Sequence, residues 1–361
     1  MTFEITRRDY SLVGLDAQRA VETGLSAAQW YACPISRKEL KALMRRRDGP
    51  ALRDTAIWIG ALLASGALAW HFWGSWAAVP FFLIYGVLYG SAGDSRWHEC
   101  GHGTAFKTRW MNDVVYHIAC FMMLREPTIW RWSHTRHHTD TIIVGRDPEI
   151  VAPRPPDFLS LALNIFAIKN SYKAIKNILL HAAGRLTDEE KTFVPVMERW
   201  KVYLVGRIYI AILAAVIVAC LATRSILPAM FVGLPTLYGG FLALYFGLTQ
   251  HAGLAEDVLD HRLNSRTVYM NPIFRFVYWN MNYHVEHHMF PMAPYHALPK
   301  LHAAIKADCP TPYSSTIAAY REIIPTLMKQ ARNPGYYAKR ELPFSAKSVP
   351  YNHGTQFVAA Q

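Results

Sequence analysis

The chain has 361 residues, 52% of them hydrophobic and only 18% charged, with a net charge of +12. Charged residues usually make up ~25%; the deficit and the long apolar runs point to lipid, not nucleic acid, and no nucleic-acid motif accompanies the basic charge. Cys33, Cys100, Cys120, Cys220 and Cys309 are scattered and odd in number, without a C-x-x-C, which excludes a disulfide framework, a zinc ribbon and an iron–sulfur domain.

The N-terminus, "MTFEITRRDYSLVGLDAQRA", is polar and charged, unlike a secretory signal. Residues 1–53 therefore read as a cytosolic region. They end in a basic run that includes Arg37, Lys38, Lys41, Arg45, Arg46, Arg47 and Arg53. The first apolar segment is Thr55–Trp73, and the second is Ala77–Ser91. A spanning helix needs ~20 apolar residues. The first qualifies. The second is short but can continue as a helix into "AGDSRWHECGH".

That continuation carries His98 and His102 with Glu99 between them. H-E-x-x-H on a helix is also the zinc-peptidase signature, two ligands and a glutamate base. Val114–Leu124 is apolar but too short to span, which suits an interfacial or cap helix. A second cluster, "HTRHH", holds His134, His137 and His138. The third and fourth segments are Val202–Ala222 and Leu227–Thr249, and His251 comes two residues later. The last cluster, "HVEHH", holds His284, His287 and His288. From about Glu341 the tail is polar and expected to be mobile.

Charge sets the orientation. The turn "HFWGSW" has no Lys or Arg, and the turn between segments three and four carries only Arg224. Both short turns then face outward, and the termini with the loop Gly93–Lys201 face the cytoplasm. The expected fold is all-α and integral to the membrane. Four transmembrane helices form two hairpins, under a cytosolic helical cap that holds a histidine-rich dimetal site. Residues 54–291 would form the catalytic domain and 292–361 a cytosolic C-terminal tail.

In each cluster the spacing is i, i+3 or i, i+4, which puts histidines on one helix face ~5–6 Å apart. Eight box histidines plus His251 exceed what one ion can hold, since zinc takes four ligands. Two ions with four or five imidazoles each fit the count. Imidazole suits iron, zinc, copper and nickel alike, so O₂ activation and hydrolysis both stay open on ligand type. Isolated His71, His117, His181, His296, His302 and His353 are expected to be ordinary core or interface residues.

"HECGH", "HTRHH" and "NYHVEHHMFP", in this order among four apolar segments, resemble the membrane fatty acid desaturase/hydroxylase superfamily. The resemblance covers roughly Thr55 to Pro291. "SRWHECGHGTAFKTRWMND" and "WNMNYHVEHHMFP" are most similar to its bacterial rhizopine-oxygenase-like branch. It implies two non-haem irons on His98, His102, His134, His137, His138, His284, His287 and His288, with His251 as the extra ligand after the last span. It further implies an O₂-dependent oxidoreductase that desaturates or hydroxylates an aliphatic C–H bond of a fatty acyl lipid, in a bacterial inner membrane with the site on the cytoplasmic side. An oxygenase of a small polar molecule on the same site is the alternative. Ligand rings need acceptors for their second N–H; Glu99, Asp140, Asp147, Asn282 and Glu286 are candidates by proximity.

A zinc peptidase on His98, Glu99 and His102 would leave six box histidines idle, and the longer motif fails at Ala105. A metal carrier would place ligands within its spans, which hold almost none. The chain shows no H-P-G-G of a fused cytochrome b5, no Cys₄ ferredoxin spacing and no GxGxxG. A separate ferredoxin or rubredoxin-type donor with its reductase is expected, received on a basic surface that includes Arg45–Arg47, Lys107 and Arg109.

Overall fold

The computed structural model describes residues 8–26 and 28–344, and His353 and the tail from residue 345 lie outside them. Among the described residues there is no strand, only isolated bridges joining Thr267 to Tyr283 and Val268 to Tyr313. The protein is all-helical.

Two small helices, α1 (Leu15–Glu22) and α2 (Arg37–Leu43), precede the long α3 (Asp48–His71). α3 turns back into α4 (Ala78–Gly86), which runs through a π-helical turn, Val87–Ser91, straight into α5 (Ala92–Gly101). The run from segment two to the first histidines is thus unbroken, as the sequence predicts, but not regular. A π turn widens the helix locally and re-aims the turns beyond it, often at functional sites. Next come α6 (Arg109–Met122) and α7 (Pro127–Thr139), then α8 (Phe158–Ile165), α9 (Ile168–Ala182) and α10 (Asp188–Lys191). The apolar stretch Val114–Leu124 falls largely in α6, whose Trp110, Val114 and Ile118 form an exposed i, i+4, i+8 stripe.

α11 (Arg199–Thr223) is the second long apolar helix. The helical stretches Arg37–His71 and Val196–Thr223 are each long and apolar enough to cross a membrane. The fourth apolar segment is not one helix. It divides into α12 (Leu227–Phe231), α13 (Pro235–Gly239) and α14 (Phe241–His251). The cause is local: Pro228 and Pro235 each sit in a helix's first turn, and Gly233 has φ +96°.

The breaks let two backbones touch. A Cβ on Gly239 would lie 1.9 Å from the carbonyl carbon of Gly86, and one on Gly90 would lie 3.0 Å from Gly240 N. Ser91 Oγ donates to the Gly239 carbonyl at 2.5 Å. Small residues at close-packed helix crossings are the expected solution inside lipid.

Short helices complete the cap: α15 (His261–Asn264), α16 (Pro272–Val277), α17 (His284–Met289), α18 (Leu298–Ile305) and α19 (Thr316–Arg332). α19 buries Ala319, Ile323 and Leu327 with Leu248 of α14, so the region after residue 291 is packed structure up to the undescribed tail. The main core gathers around α5, with Trp97 and Trp279 buried inside it and not at an interface. Arg96 ties the parts together. Fully buried, it donates to the carbonyls of Phe276 and Val277 and stands 4.8–5.3 Å from the rings of Trp58, Phe276 and Trp279. The helix of the first cluster is thereby clamped to the turn that leads into the last.

Gly239→Val is expected to cost at least ~3 kcal/mol or to prevent folding, because the clash is with backbone. Gly60→Ala, where a Cβ meets nothing within 4 Å, is the control expected to leave the melting temperature unchanged or raised. Tryptophan-fluorescence melts of the purified variants check both.

Candidate metal centre

Four pieces of chain deliver nine imidazoles to one buried place. α5 and its C-cap bring His98 and His102, and α7 brings His134, His137 and His138. The end of α14 brings His251, and α17 brings His284, His287 and His288. Their nitrogens fall into two groups. His98, His102, His134, His138 and His287 form one; His137, His251, His284 and His288 form the other, each within 4.8 Å.

Helix period explains the sorting. In "HTRHH" the i, i+4 pair His134/His138 joins the first group and His137 the second. In "HVEHH" the i, i+4 pair His284/His288 joins the second group and His287 the first. Each box thus serves both groups, in reciprocal fashion.

The spacing within each group suits a shared ion. Nε2 atoms stand 3.0 Å apart in His134/His102, 3.2 Å in His138/His134 and 3.1 Å in His287/His138. In the second group the values are 2.9 Å for His284/His251 and 3.0 Å for His288/His284. With metal–imidazole bonds of ~2.1 Å, two ligands at right angles put their nitrogens ~3.0 Å apart. Five converging nitrogens also exceed the four of tetrahedral zinc. Both ring nitrogens of buried His98 lack a hydrogen-bond partner, which is costly unless a ligand takes one up.

Burial and the neighbouring histidines hold His98, His134, His138, His284, His287 and His288 well below the usual imidazole pKa, and burial takes His102 down to about 4. Those shifts favour the neutral ring, the form that binds metal. For His137, burial pulls the same way, but the adjacent Asp147 carboxylate outweighs it and the pKa rises.

Acceptors at Nδ1 fix several rings. Asp147 accepts from His137 at 2.8 Å and Glu149 from His134 at 3.0 Å. The backbone carbonyl of Asn264 accepts from His251 at 2.8 Å. Thr141 Oγ1 donates to the His137 carbonyl and stands 3.2 Å from His288 Nδ1. With the proton on Nδ1, Nε2 turns its lone pair inward.

Glu149, Thr141 and the Asn264 carbonyl are absent from the sequence-based set. Glu149 was legible as the second acid of "DPE"; a backbone carbonyl has no sequence signal. Conversely, Glu99, Asp140, Asn282 and Glu286 stand next to ligands in sequence but touch no ligand ring. Glu99 accepts from Thr104 Oγ1 at 2.7 Å and Tyr295 N at 3.0 Å. Glu286 accepts from Thr267 Oγ1 at 2.6 Å and pairs with His302 Nδ1. Asp140 pairs with Arg146, and Asn282 donates to the Val268 carbonyl. For Glu99 and Glu286 the cause is simple, since neighbouring positions on a helix face different ways; Asp140 caps the end of α7 and Asn282 precedes α17. Glu99 is thereby turned away from the imidazoles, without the geometry of a peptidase base.

Comparison with known proteins places the chain in a family. The fatty acid desaturase family model matches residues 74–320. The chain is 33% identical over 108 residues to the sn-1 oleoyl-lipid 12-desaturase of Anabaena variabilis, covering 28% of this chain and 31% of that protein. It is 32% identical over 74 residues to the sn-1 acyl-lipid omega-3 desaturase (ferredoxin) of a Nostoc species, 20% of each chain. Over 252 residues it is 26% identical to a Delta(5) fatty acid desaturase of Caenorhabditis elegans, 61% of this chain and 55% of that one. The chain thus spans less than two thirds of the length of each.

Glu149→Ala and Asp147→Ala are expected to weaken metal retention ~10–100-fold through loss of the ring acceptor. Asp140→Ala, which frees no ligand ring, serves as the comparison. Metal content after timed dialysis against chelator checks the difference.

Proposed function

Because the chain belongs to the fatty acid desaturase family, we propose that it is a membrane-bound non-haem di-iron oxidoreductase that uses O₂ and external electrons to desaturate or hydroxylate an aliphatic C–H bond of a fatty acyl lipid. The observation that carries this reading is the division of nine imidazoles, six buried and three half-buried, into groups of five and four, each at ligand spacing. His98, His102, His134, His138 and His287 hold one iron; His137, His251, His284 and His288 hold the other.

Iron in this centre supplies the O₂ activation that breaking an unactivated C–H bond requires. The chain's own residues do the rest. Neutral imidazoles leave the positive charge on the metals, unlike carboxylate-rich bundle sites. Asp147 and Glu149 lock the orientation of His137 and His134. Burial keeps bulk water from the ligands, which guards a reactive centre against side reactions.

Four spans in two hairpins, with termini and centre on the cytosolic side of a bacterial inner membrane, fit the charge asymmetry of the turns. α3 and α11 supply the long spans, and the second segment, continuous through its π turn, and the divided fourth segment carry the histidines upward from Gly90 and Gly240. A lipid acyl chain reaches such a centre directly from the bilayer.

Electrons come from a separate carrier, as the ferredoxin in the name of the Nostoc relative indicates for that protein. Arg45, Arg46, Arg47 and Lys107 line one open cleft of roughly 540 Å³, although Lys107 is sixty residues away along the chain. No carboxylate lines it. The cleft adjoins the loop after His102 and suits an acidic ferredoxin.

Purified protein is expected to hold about two irons per chain. With reduced ferredoxin, its reductase, O₂ and lipid extract, it should release a product two hydrogens lighter or one oxygen heavier, read by mass spectrometry. One zinc per chain, with activity that survives His134→Ala, would overturn the assignment. Turnover is further expected to drop roughly tenfold from low to high salt, and Arg45→Glu with Lys107→Glu should raise the donor KM while leaving iron content intact. Salt-independent turnover would exclude the basic cleft as the docking surface.

A further inference from the structure

Charge alone reads Gly93–Lys201 as a cytosolic loop, yet α8 and α9 in its middle expose an unusual amount of apolar surface. On α9, Ile168, Tyr172, Ile175 and Leu179 recur at i, i+4, i+7 and i+11, and Tyr172 is 73% exposed and Leu179 56%. Lys169, Lys173 and Lys176 keep the same rhythm one residue later, ~100° around the helix. Ala174, Ile178 and His181 lie on the opposite flank, where Ala174 and Ile178 pack with Tyr209 and Leu213 of α11. α9 therefore has three faces: protein on one side, lysines on the other, and an uncovered apolar stripe between. α8 continues the stripe with exposed Phe158, Leu159, Leu163 and Phe166.

Each end of α9 packs against an apolar segment. Its leading corner, Ala167, packs on Gly240, which in turn lies against Gly90, where the second apolar segment ends. Its trailing end, Ala182, accepts a hydrogen bond from Arg207 Nε at 3.1 Å and sits against Gly206, near the start of α11. A charged Arg207 at one end and the Asp157–Lys169 ion pair at the other suit a headgroup depth. An amphipathic helix with this layout lies in the membrane plane.

We propose that α8 and α9 form a bracket embedded in the cytosolic leaflet, with its apolar stripe on acyl chains and Lys169, Lys173 and Lys176 on anionic lipid headgroups. This rests on the membrane reading above. The bracket abuts both α11 and the α13–α14 break, so it fixes the height of the iron centre above the bilayer.

The test uses the full chain in phosphatidylcholine nanodiscs with or without phosphatidylglycerol. Cys220→Ala removes the partly exposed thiol, and the other native cysteines are buried. Nitroxides are placed at Tyr172→Cys, Leu179→Cys and Lys173→Cys, with Leu221→Cys in α11 as the membrane control. Labels at positions 172 and 179 are expected to be several-fold more accessible to O₂ than to a water-soluble nickel chelate, and the label at 173 the reverse. Omitting the anionic lipid, or combining Lys169→Gln, Lys173→Gln and Lys176→Gln, should shift the Leu179→Cys label toward the chelate. If position 221 faces lipid but 172 and 179 face water, the bracket is overturned alone. If 172 and 179 are reached by neither reagent and the particle holds two chains, a second copy covers the stripe and the bracket is equally overturned. If position 221 also faces water, the membrane reading itself fails.

Discussion

The convergence of neutral imidazole nitrogens at about 3 Å is the constraint on which the rest depends. Lone pairs aimed at one another repel, and burial removes the water that would separate them. Such an arrangement is stable only if a cation takes the lone pairs or a rigid scaffold enforces them. The scaffold here is heavily built. Arg96 clamps α5 to the C-terminal end of α16, Asp147 and Glu149 hold two rings from behind, and Glu286 fastens the far side of α17 to Thr267 and His302.

The two helices that carry histidines up from the apolar segments are also the irregular ones. This is geometry, not accident. A straight helix through segment four would keep its backbone clear of segment two. The π turn at Val87–Ser91 and the break at Gly239–Gly240 instead bring Gly86 and Gly90 into backbone contact with α13 and its end. His251 lies eleven residues past Gly240, so α14 raises it ~16 Å above the contact. The histidines of α5 and α14 thus rise from two helical runs whose bases touch.

Much of this was legible in the sequence, and the reasons are physical. The nine histidines emerge from spacing and number, since helical periodicity survives without tertiary context. The long spans emerge from length and hydropathy. The ring acceptors are harder to read. Adjacency along a helix suggested Glu99 and Glu286, but adjacency on a helix rotates a side chain away. Glu149 lies in the loop after α7, and Asn264 contributes only its backbone. The division of segment four was foreshadowed by its prolines and glycines, whereas its apolar length suggested one span. The apolar stripe of α9 was hidden because three lysines, read along the chain, resemble a solvated segment.

The distance between the apolar segments and the histidines bears on substrate. Segment two ends at Ser91, seven residues before His98, and segment four runs to Thr249, two residues before His251. An apolar chain lying along those segments would meet the imidazoles within about two helical turns. Under the proposed function, a lipid-borne acyl chain spans that short step while its polar end stays at the surface, and a compact polar molecule draws no binding energy from it.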